Sequence, residues 1–463
     1  MTNLNKTHIE KFEKFTTDVM NSYNAQGLAV SVFGTNDTYY ENFFGYKDTQ
    51  NKLGIDADTI FGLASISKSF TCLALMQLAE RGVVDLEGYV SDYIPAFSGK
   101  FQKSVRLKHL MSHSAGFFPE KRILARDVAK EMGIWEEDCE LVYNEELAQE
   151  GINRVAGRLD SRDKLIGRAD ELMSYSNDSY GLISDIVRRY GEFKSFGEYV
   201  NENIFKPLNM TRSTLEFIAP SKDDNTSQLY IRRDGKMECS KDFYDNAFVL
   251  MGGGAIKSTI ADLKKYTRMF LSLGVGENGK KVLDSYYVKE MFKPRHLYRF
   301  QQYYGYGLST QFVDDVTVIG HGGSLTGVSS MFQWSPELGV GIVVLCNTSE
   351  VPTGVIADAA MKLAMGKDPA VINEPYTEQA WDKETINAAI GRYESPEGTV
   401  IEIMCKDDEL VLEFNGMTLK TRQARGGILL IDRPHNTGDL ILCRDANGEV
   451  WGIRVGARVI PKA

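Results

Sequence analysis

The segment from Ser65 to Arg81, SISKSFTCLALMQLAER, constrains the fold of this chain most strongly. Its helical pattern is apolar nearly all round, and Gly82 closes it. A helix with this profile is usually buried at the centre of a domain. With 463 residues, 43% of them hydrophobic, the chain is long enough to bury such a helix in a large domain and to form a smaller domain besides.

Strand and helix patterns on either side of this segment predict the domain organisation. Residues 28–46 indicate a β-hairpin, residues 119–172 a charged helical insertion, and residues 305–347 successive strands of one sheet. Evenly spaced short strands near the C-terminus are typical of a small antiparallel barrel or sandwich. The predicted division of the chain is a main domain over 1–368, a linker over 369–385 and a small β-barrel over 386–463.

Charge and hydropathy argue against two classes of partner. The chain has 53 Lys and Arg against 63 Asp and Glu, and it lacks the basic stripe of nucleic-acid-binding proteins, so no nucleic-acid partner is expected. The most apolar runs are far shorter than the ~20 residues of a membrane span, and no membrane partner is expected either. The first residues do not resemble a secretory signal. The expected location is therefore cytoplasmic.

The cysteines and histidines give no pattern typical of a metal site. The six histidines form no ligand cluster, and the six cysteines are scattered without a C-x-x-C pair. We therefore expect no metal or other cofactor and no disulfides. The thiols predicted to be buried and free are Cys72, Cys139, Cys239, Cys346, Cys405 and Cys443.

Ser65 and Lys68 share one helix face, at positions i and i+3. A serine becomes a nucleophile only beside a base, and a lysine serves as that base only when desolvation lowers its pKa. The apolar residues after Lys68 would provide the desolvation, and the helix N-terminus at Ser65 can stabilise an oxyanion. The spacing alone is weak, because Ser161 and Lys164 repeat it in a charged stretch. Taken alone, the pair favours a structural role.

Tyr175 and Asn177 form a second group, in MSYSNDSYG. One loop here would present a proton carrier and a donor for a substrate carbonyl. The structural alternative is a turn in which Asn177 or Asp178 caps the following helix. Tyr244 and Asn246 repeat the same spacing, so this signal is also weak by itself.

A third group lies in GHGGSLTG, with His321, Gly322, Gly323 and Ser324 at the end of a predicted strand. Paired glycines weaken a strand interior, and they are better explained where a ligand approaches the strand edge. For His321 alone, a hydrogen-bonded histidine in a tight turn is the better interpretation.

The order S-x-x-K, Y-x-N and H-x-G resembles the serine β-lactamase and penicillin-binding-protein superfamily. Within the superfamily, the chain more closely resembles the class C β-lactamase-related branch, which includes esterases and D-amino-acid-specific peptidases. It implies an α+β fold: a β-lactamase/transpeptidase-like domain, with an antiparallel sheet flanked by helices and a helical subdomain, followed by a small antiparallel β-barrel. The C-terminal stretch IGRYESPEG resembles lipocalin-like barrels of some D-aminopeptidase-type relatives. The other matching stretches are TIFGLASISKSFTCLALMQLAERGVVDL, VRLKHLMSHSAGF, IFKPLNMTRST and GGGAIKSTIADLKKY.

The resemblance also implies a role for each site residue. Ser65 would attack a carbonyl to form an acyl-enzyme, while Lys68 and Tyr175 share the proton transfer. Asn177 would hold the acyl-side amide, and the backbone N–H groups of Ser65 and Ser324 would form the oxyanion hole. The predicted site is therefore catalytic Ser65, Lys68 and Tyr175, with substrate-binding and oxyanion residues Asn177, His321, Gly322, Gly323 and Ser324.

Two departures from the family pattern bear on the substrate. His321 replaces the lysine of the K-T-G triad, and Gly322 replaces its hydroxyl residue. An imidazole anchors a substrate carboxylate less well than an ammonium does, so we expect weak penicillin turnover and a preference for esters or amides without that carboxylate. We also hypothesise that residues 119–172 shape or cover the acyl pocket. The C-terminal barrel either borders the cleft or mediates oligomerisation.

The function predicted from these residues is a metal-free serine hydrolase. It would cleave amide or ester bonds in small or D-amino-acid-containing peptides, so its partner is a small-molecule or short-peptide substrate, and a homo-oligomer is compatible with the sequence. The enzyme is favoured because all members of the predicted site are present. The alternatives are a carboxylesterase of the same family, a penicillin-binding carboxypeptidase with weak β-lactamase activity, and a non-catalytic scaffold.

Overall fold

The computed structural model describes residues 4–121, 123, 125–136, 145–161, 165–216, 219–233, 236–240, 251–372, 374–414 and 416–463. Cys139, Lys164 and the second Y-x-N pair, Tyr244 and Asn246, lie outside the described residues, as do parts of the predicted insertion.

Helices and strands alternate irregularly along the described residues. The helices are α1 (Lys6–Tyr23), α2 (Ser67–Glu80), α3 (Val90–Tyr93), α4 (Leu107–Met111), α5 (Ala125–Glu131), α6 (Glu145–Asp160), α7 (Asn177–Tyr190), α8 (Phe196–Val200), α9 (Ile260–Leu271), α10 (Ser285–Phe292), α11 (Thr353–Ala364) and α12 (Lys383–Ala389). The strands are β1 (Gly27–Phe33), β2 (Thr38–Asp48), β3 (Leu53–Gly54), β4 (Phe61–Gly62), β5 (Leu229–Arg233), β6 (Lys236–Ser240), β7 (Lys257–Ser258), β8 (His296–Arg299), β9 (Gln302–Tyr304), β10 (Ser309–Val313), β11 (Val316–Leu325), β12 (Val328–Ser335), β13 (Val340–Cys346), β14 (Gly391–Glu394), β15 (Val400–Lys406), β16 (Glu409–Phe414), β17 (Met417–Ala424), β18 (Ile428–Arg433), β19 (Asn436–Arg444), β20 (Val450–Val455) and β21 (Arg458–Pro461).

The main sheet combines the N-terminal hairpin with strands from much later in the chain, in the order β3-β2-β1-β13-β12-β11-β10-β9-β8. Both faces are covered, as the period-two alternation of β13 shows. Val343 and Leu345 pack into the cluster that contains α2 and α9, whereas Ile342 and Val344 pack into the cluster of α1 and α11. Helices therefore flank an antiparallel sheet, and the predicted α+β class is confirmed.

Helix α2 is buried at the centre of the large cluster. Every residue from Ser67 to Leu78 is buried, which confirms the central position predicted for it. The ring of Phe70 stacks on Tyr266 of α9 with centroids 3.6 Å apart, so the helix is fixed against its neighbours. The α-helix begins at Ser67 rather than at Ser65, because residues Ala64–Ile66 form a 3₁₀ turn before it.

The C-terminal strands β14 to β21 pair in sequence order. A bridge between Tyr393 of β14 and Lys462, which follows β21, brings the first and last strands together. The interior is apolar, with Leu429, Leu440 and Ile453 fully buried. These strands form a nearly closed antiparallel barrel that fits a lipocalin-like domain, as predicted. The boundaries at 368 and 385 stay a prediction.

The cysteine environments differ in part from expectation. Cys72 and Cys346 are buried free thiols, as predicted. Cys239 and Cys405 are exposed, so the prediction is wrong for these two. Cys239 lies on the two-stranded β5–β6 sheet, and Cys405 lies near the exposed end of β15, so strand patterning alone misplaced them. Of the helices that the structure describes, none combines the length and apolarity that crossing a bilayer requires.

Candidate active site

Ser65 lies in the 3₁₀ turn Ala64–Ile66, which we call the nucleophile turn. Ala64 adopts φ 48°, in the left-handed region that non-glycine residues rarely occupy. Such backbone strain is typical of functional sites, where the surrounding structure must hold it. From Thr59 to Leu78, Ser65 is the one residue that is not buried. The turn therefore exposes the Ser65 hydroxyl to a cleft, while the neighbouring residues of this segment stay buried.

Lys68 lies directly behind this hydroxyl. Its Nζ donates to Ser65 Oγ at 3.1 Å and to the carbonyl of Gly253 at 2.6 Å. The side chain is fully buried, and Nζ lies 4.8 Å from the ring centroid of Tyr175 and 5.4 Å from that of Tyr180. The hydroxyl and the amine are thus within proton-transfer distance in a site enclosed by aromatic rings.

Tyr175 approaches the same hydroxyl from the segment before α7. Burial raises the pKa of the Tyr175 phenol, although its hydrogen bond with Ser65 opposes that rise. The phenol therefore stays protonated at neutral pH. The ring packs against the imidazole of His113 with centroids 4.2 Å apart, and His113 Nδ1 in turn accepts the backbone N–H of Ser176 at 3.1 Å. These contacts fix the orientation of the phenol.

Asn177 is the first residue of α7, beside the site, and Ser176 is the N-cap. The Ser176 side chain accepts the N–H of Ser179, so the alternative in which Asn177 or Asp178 caps this helix is wrong. Asp178 instead pairs with Arg158 of α6, whose Nε donates to its carboxylate at 2.8 Å. The amide of Asn177 is thereby left to face the cleft.

His321 lies within β11 rather than at its end, since the strand continues to Leu325. Its Nδ1 lies 2.6 Å from the carbonyl of Gly322, which can only accept, so Nδ1 carries the proton. Nε2 then accepts from the hydroxyl of Tyr304 at 2.9 Å. Burial and the neighbouring Lys68 lower the pKa of His321 to about 3. The imidazole is therefore neutral, and both of its nitrogens are already hydrogen-bonded.

Gly323 allows β11 to approach the nucleophile turn. A Cβ at this position would lie 2.2 Å from the carbonyl oxygen of Leu63 and 2.3 Å from Ser330 Oγ, distances that atoms cannot adopt. Ser330 Oγ also donates to that Leu63 carbonyl at 2.7 Å. The strand β10 pairs with β11 only as far as Gly320, so the following residues of β11 border the cleft. The absence of a side chain at Gly323 is thus a requirement of the packing.

The predicted site residues converge on one cleft of about 750 Å³. Lys68 lies beneath it, bonded to the serine. The cleft lining includes the other seven: Ser65, Tyr175, Asn177, His321, Gly322, Gly323 and Ser324.

The C-terminal barrel also contributes to this cleft, through Glu397, Ala457 and Arg458. The backbone N–H of Tyr175 donates to the carbonyl of Ala457 at 2.8 Å, which ties the barrel to the segment before α7. The Arg458 guanidinium lies 5.2 Å from the ring centroid of Tyr175 and forms an ion pair with Glu397 at 2.7 Å. Sequence reasoning missed these residues, because nothing local distinguishes an arginine at the start of a strand. Of the two roles left open for the barrel, the structure shows the first.

The described part of the predicted insertion does not border the cleft directly. None of its described residues between 119 and 172 lines the cavity. Helix α6 instead supports the start of α7 through the pair between Arg158 and Asp178, and Arg158 also donates to the carbonyl of Lys121 at 2.8 Å. In the part of the chain that is described, the insertion therefore buttresses the site from behind.

A serine in a strained turn, a buried lysine and a tyrosine beside a glycine-lined strand define the class of serine β-lactamase and transpeptidase-like proteins. The model of the Beta-lactamase family matches residues 12–365, and the chain belongs to that family. The resemblance inferred from the sequence is confirmed.

Individual relatives agree with this assignment. Penicillin-binding protein 4* of Bacillus subtilis (strain 168) is 23% identical over 399 residues, which cover 82% of each chain. The octameric penicillin-binding protein homologue from Pyrococcus abyssi shares the fold with a TM-score of 0.69 at 23% identity, covering 98% of this chain and 100% of that one. A D-stereospecific amidohydrolase from Streptomyces sp. aligns with a TM-score of 0.58 at 18% identity, over 76% of this chain and 98% of that one.

Proposed function

We propose that this protein is a serine hydrolase that cleaves amide or ester bonds in short peptides, with D-configured residues favoured, through an acyl-enzyme on Ser65. The observation that carries the proposal is the 3.1 Å hydrogen bond between Lys68 Nζ and Ser65 Oγ at the floor of a cleft. Family membership supports hydrolysis, and the fold shared with an enzyme described as a D-stereospecific amidohydrolase supports the stereochemical preference.

In acylation, Ser65 Oγ bonds to the substrate carbonyl carbon, and Lys68 accepts the hydroxyl proton. The Tyr175 phenol, protonated at neutral pH, passes a proton to the leaving amine or alcohol as the scissile bond breaks, and Lys68 restores it. The backbone N–H groups of Ser65 and Ser324 stabilise the oxyanion, where the loss of one donor costs about 3 kcal/mol. A water molecule then attacks the acyl-enzyme by the same proton route and releases the acid.

The state of His321 bears on the substrate. Since the imidazole is neutral and both nitrogens are engaged, it offers no charge to a substrate carboxylate. Penicillins should therefore acylate Ser65 slowly and turn over weakly. Esters of the same acyl groups would be cleaved by the same steps, so a carboxylesterase is the second candidate. By analogy with the octameric relative, we also propose a homo-oligomer, which light scattering would reveal.

The decisive experiment is intact-protein mass spectrometry after treatment with a fluorophosphonate probe and, separately, with a penicillin. The wild type should gain one fluorophosphonate adduct, and Ser65→Ala should gain none. The matched control is Ser161→Ala, the serine of the second S-x-x-K spacing, whose hydroxyl is exposed and donates to the carbonyl of Arg158 at 2.9 Å. This control should retain the adduct.

Panels of p-nitroanilides and p-nitrophenyl esters in both stereochemistries then separate peptidase from esterase. Fluorophosphonate modification that persists in Ser65→Ala would contradict the assignment of the nucleophile. A folded wild type that forms no adduct with either reagent would instead support the non-catalytic scaffold.

A further inference from the structure

A second cavity, of about 490 Å³, lies against the opposite face of β11. Side chains alternate along a strand, so His321 and Gly323 face the nucleophile turn, while Gly320 and Gly322 face this cavity. Gly322 lines both the cavity and the catalytic cleft, as do Met331 of β12 and Gly354 of α11. Tyr298, Arg299, Ser309 and Pro352 also line both, so the two spaces meet along these seven residues.

Gly322 and Gly354 contribute no side chain to this junction. A Cβ on Gly322 would lie 3.3 Å from the Cε of Met331, and a Cβ on Gly354 would lie 3.1 Å from the same atom. The thioether of Met331 therefore lies close to both the strand and α11, and methionine side chains adapt easily. Gly322 stands where the family pattern has a hydroxyl residue, so the missing side chain is a departure in this chain.

The cavity contains a carboxylate whose negative charge is not neutralised by an ion pair. Asp358 Oδ1 accepts from Gln311 Nε2 and from Gln333 Nε2, both at 3.2 Å. Within the described residues, no lysine, arginine or histidine nitrogen lies within 4.0 Å of this carboxylate. Burial raises the pKa of Asp358 to about 6, although the hydrogen bond from Gln333 and the positive charge of Lys362 oppose that rise, and the carboxyl group is still mostly ionised at pH 7.

The cationic side chains in the cavity wall are already engaged. Lys362 donates to the carbonyl of Val371 at 2.5 Å and lies 3.7 Å from Asp314. Arg299 pairs with Asp439 at 3.0 Å. A buried charge is costly unless it is paired, so the Asp358 carboxylate is suited to a cation that a ligand brings.

We infer that this cavity is a specificity site for a substrate side chain that ends in a primary ammonium, with Asp358 as its counter-ion. This inference rests on the proposed function, because the side chain must belong to a substrate held at Ser65. Met331 is the register partner of Gly322. Gln333 lies two residues further along β12, so the rise of a strand separates it from Met331 by roughly 7 Å. That distance matches a lysine-type chain of four or five methylenes.

The test compares lysine-containing substrates with their norleucine counterparts, which lack only the ammonium. Aminoacyl p-nitroanilides place the side chain on the acyl side, and dipeptides place it on the leaving side, each in both stereochemistries. In Asp358→Asn, which keeps an acceptor for the two glutamines, kcat/KM for at least one lysine substrate should fall about tenfold or more. The matching norleucine substrate should change less than about twofold.

The matched control is Glu350→Gln, which removes an exposed carboxylate that lines the catalytic cleft but not the cavity. It should leave the ratio of lysine to norleucine turnover unchanged. If Asp358→Asn affects lysine and norleucine substrates equally, or affects neither, the cavity does not select an ammonium and the inference fails.

A binding measurement separates this inference from the proposed function. Calorimetric titration of Ser65→Ala with n-pentylamine, and with n-pentanol as the uncharged control, requires no turnover. If Ser65→Ala binds the amine and the double variant Ser65→Ala/Asp358→Asn does not, the cation site is supported even if no substrate is cleaved. No amine binding, together with no lysine preference, would overturn it.

Discussion

The buried, neutral state of His321 makes the stability of the protein depend on pH in a defined window. Its folded pKa, about 3, lies below the usual value of 6.5, so the unfolded chain binds an extra proton between these values. Stability from this group is present above pH 6.5 and is lost as the pH falls towards 3. One proton corresponds to about 1.4 kcal/mol per pH unit. Lowering the pH from 6.5 to 4.5 should therefore cost about 2 kcal/mol through His321 alone.

The assay is urea unfolding of the wild type and of His321→Gln at several pH values between 7 and 4.5. Glutamine can still accept from the Tyr304 hydroxyl but does not titrate. In the difference between the unfolding free energies of the two proteins, the contributions of other titratable groups that do not interact with His321 therefore cancel. One such group is Asp358, whose pKa burial raises. The advantage of the wild type should shrink by about 2 kcal/mol over this range. A difference that stays constant with pH would refute a buried neutral imidazole.

Two further changes test the packing around the site. Gly323→Ala places a Cβ 2.2 Å from the Leu63 carbonyl oxygen, so the nucleophile turn must shift and kcat for hydrolysis should fall by about 100-fold or more. The control is Gly54→Ala, at an exposed position with open space around it, which should leave kcat unchanged in the same assay. Arg158→Gln removes a guanidinium that pairs with the buried Asp178 carboxylate, so urea unfolding should show a loss of about 2 to 3 kcal/mol. A loss below about 0.5 kcal/mol would mean that α6 does not buttress α7.

Much of the fold followed from local patterns. The helix α2 is recognisable because its apolar residues are contiguous, and the strands β10 to β13 because their patterns and turns follow one another in the chain. The predicted site residues meet in one cleft because their motifs mark family positions. The start of α2 was misplaced by two residues, since no local signal reveals that Ala64 adopts φ 48° and forms a turn before the helix.

The unpredicted features depend on contacts between distant parts of the chain. Arg458 reaches Tyr175 because the barrel docks against the segment before α7 through the Ala457 carbonyl, and no periodicity in the C-terminal strands encodes that docking. The tautomer of His321 likewise depends on Tyr304, which belongs to a neighbouring part of the sheet. Residue type and spacing identify a reactive group, but its protonation state is set by neighbours that only the fold supplies.

The two departures at His321 and Gly322 have a common consequence for specificity. On the catalytic face of β11, the neutral imidazole takes the place of the family's ammonium, so a substrate carboxylate gains no ion pair there. On the opposite face, Gly322 places no side chain between the cleft and the cavity that contains Asp358. The first change removes a positive charge at the cleft, and the second exposes a negative one beyond it. Both changes favour substrates that lack a carboxylate at this position and carry an amine. In each case the electrostatic preference of the site shifts from an anion to a cation.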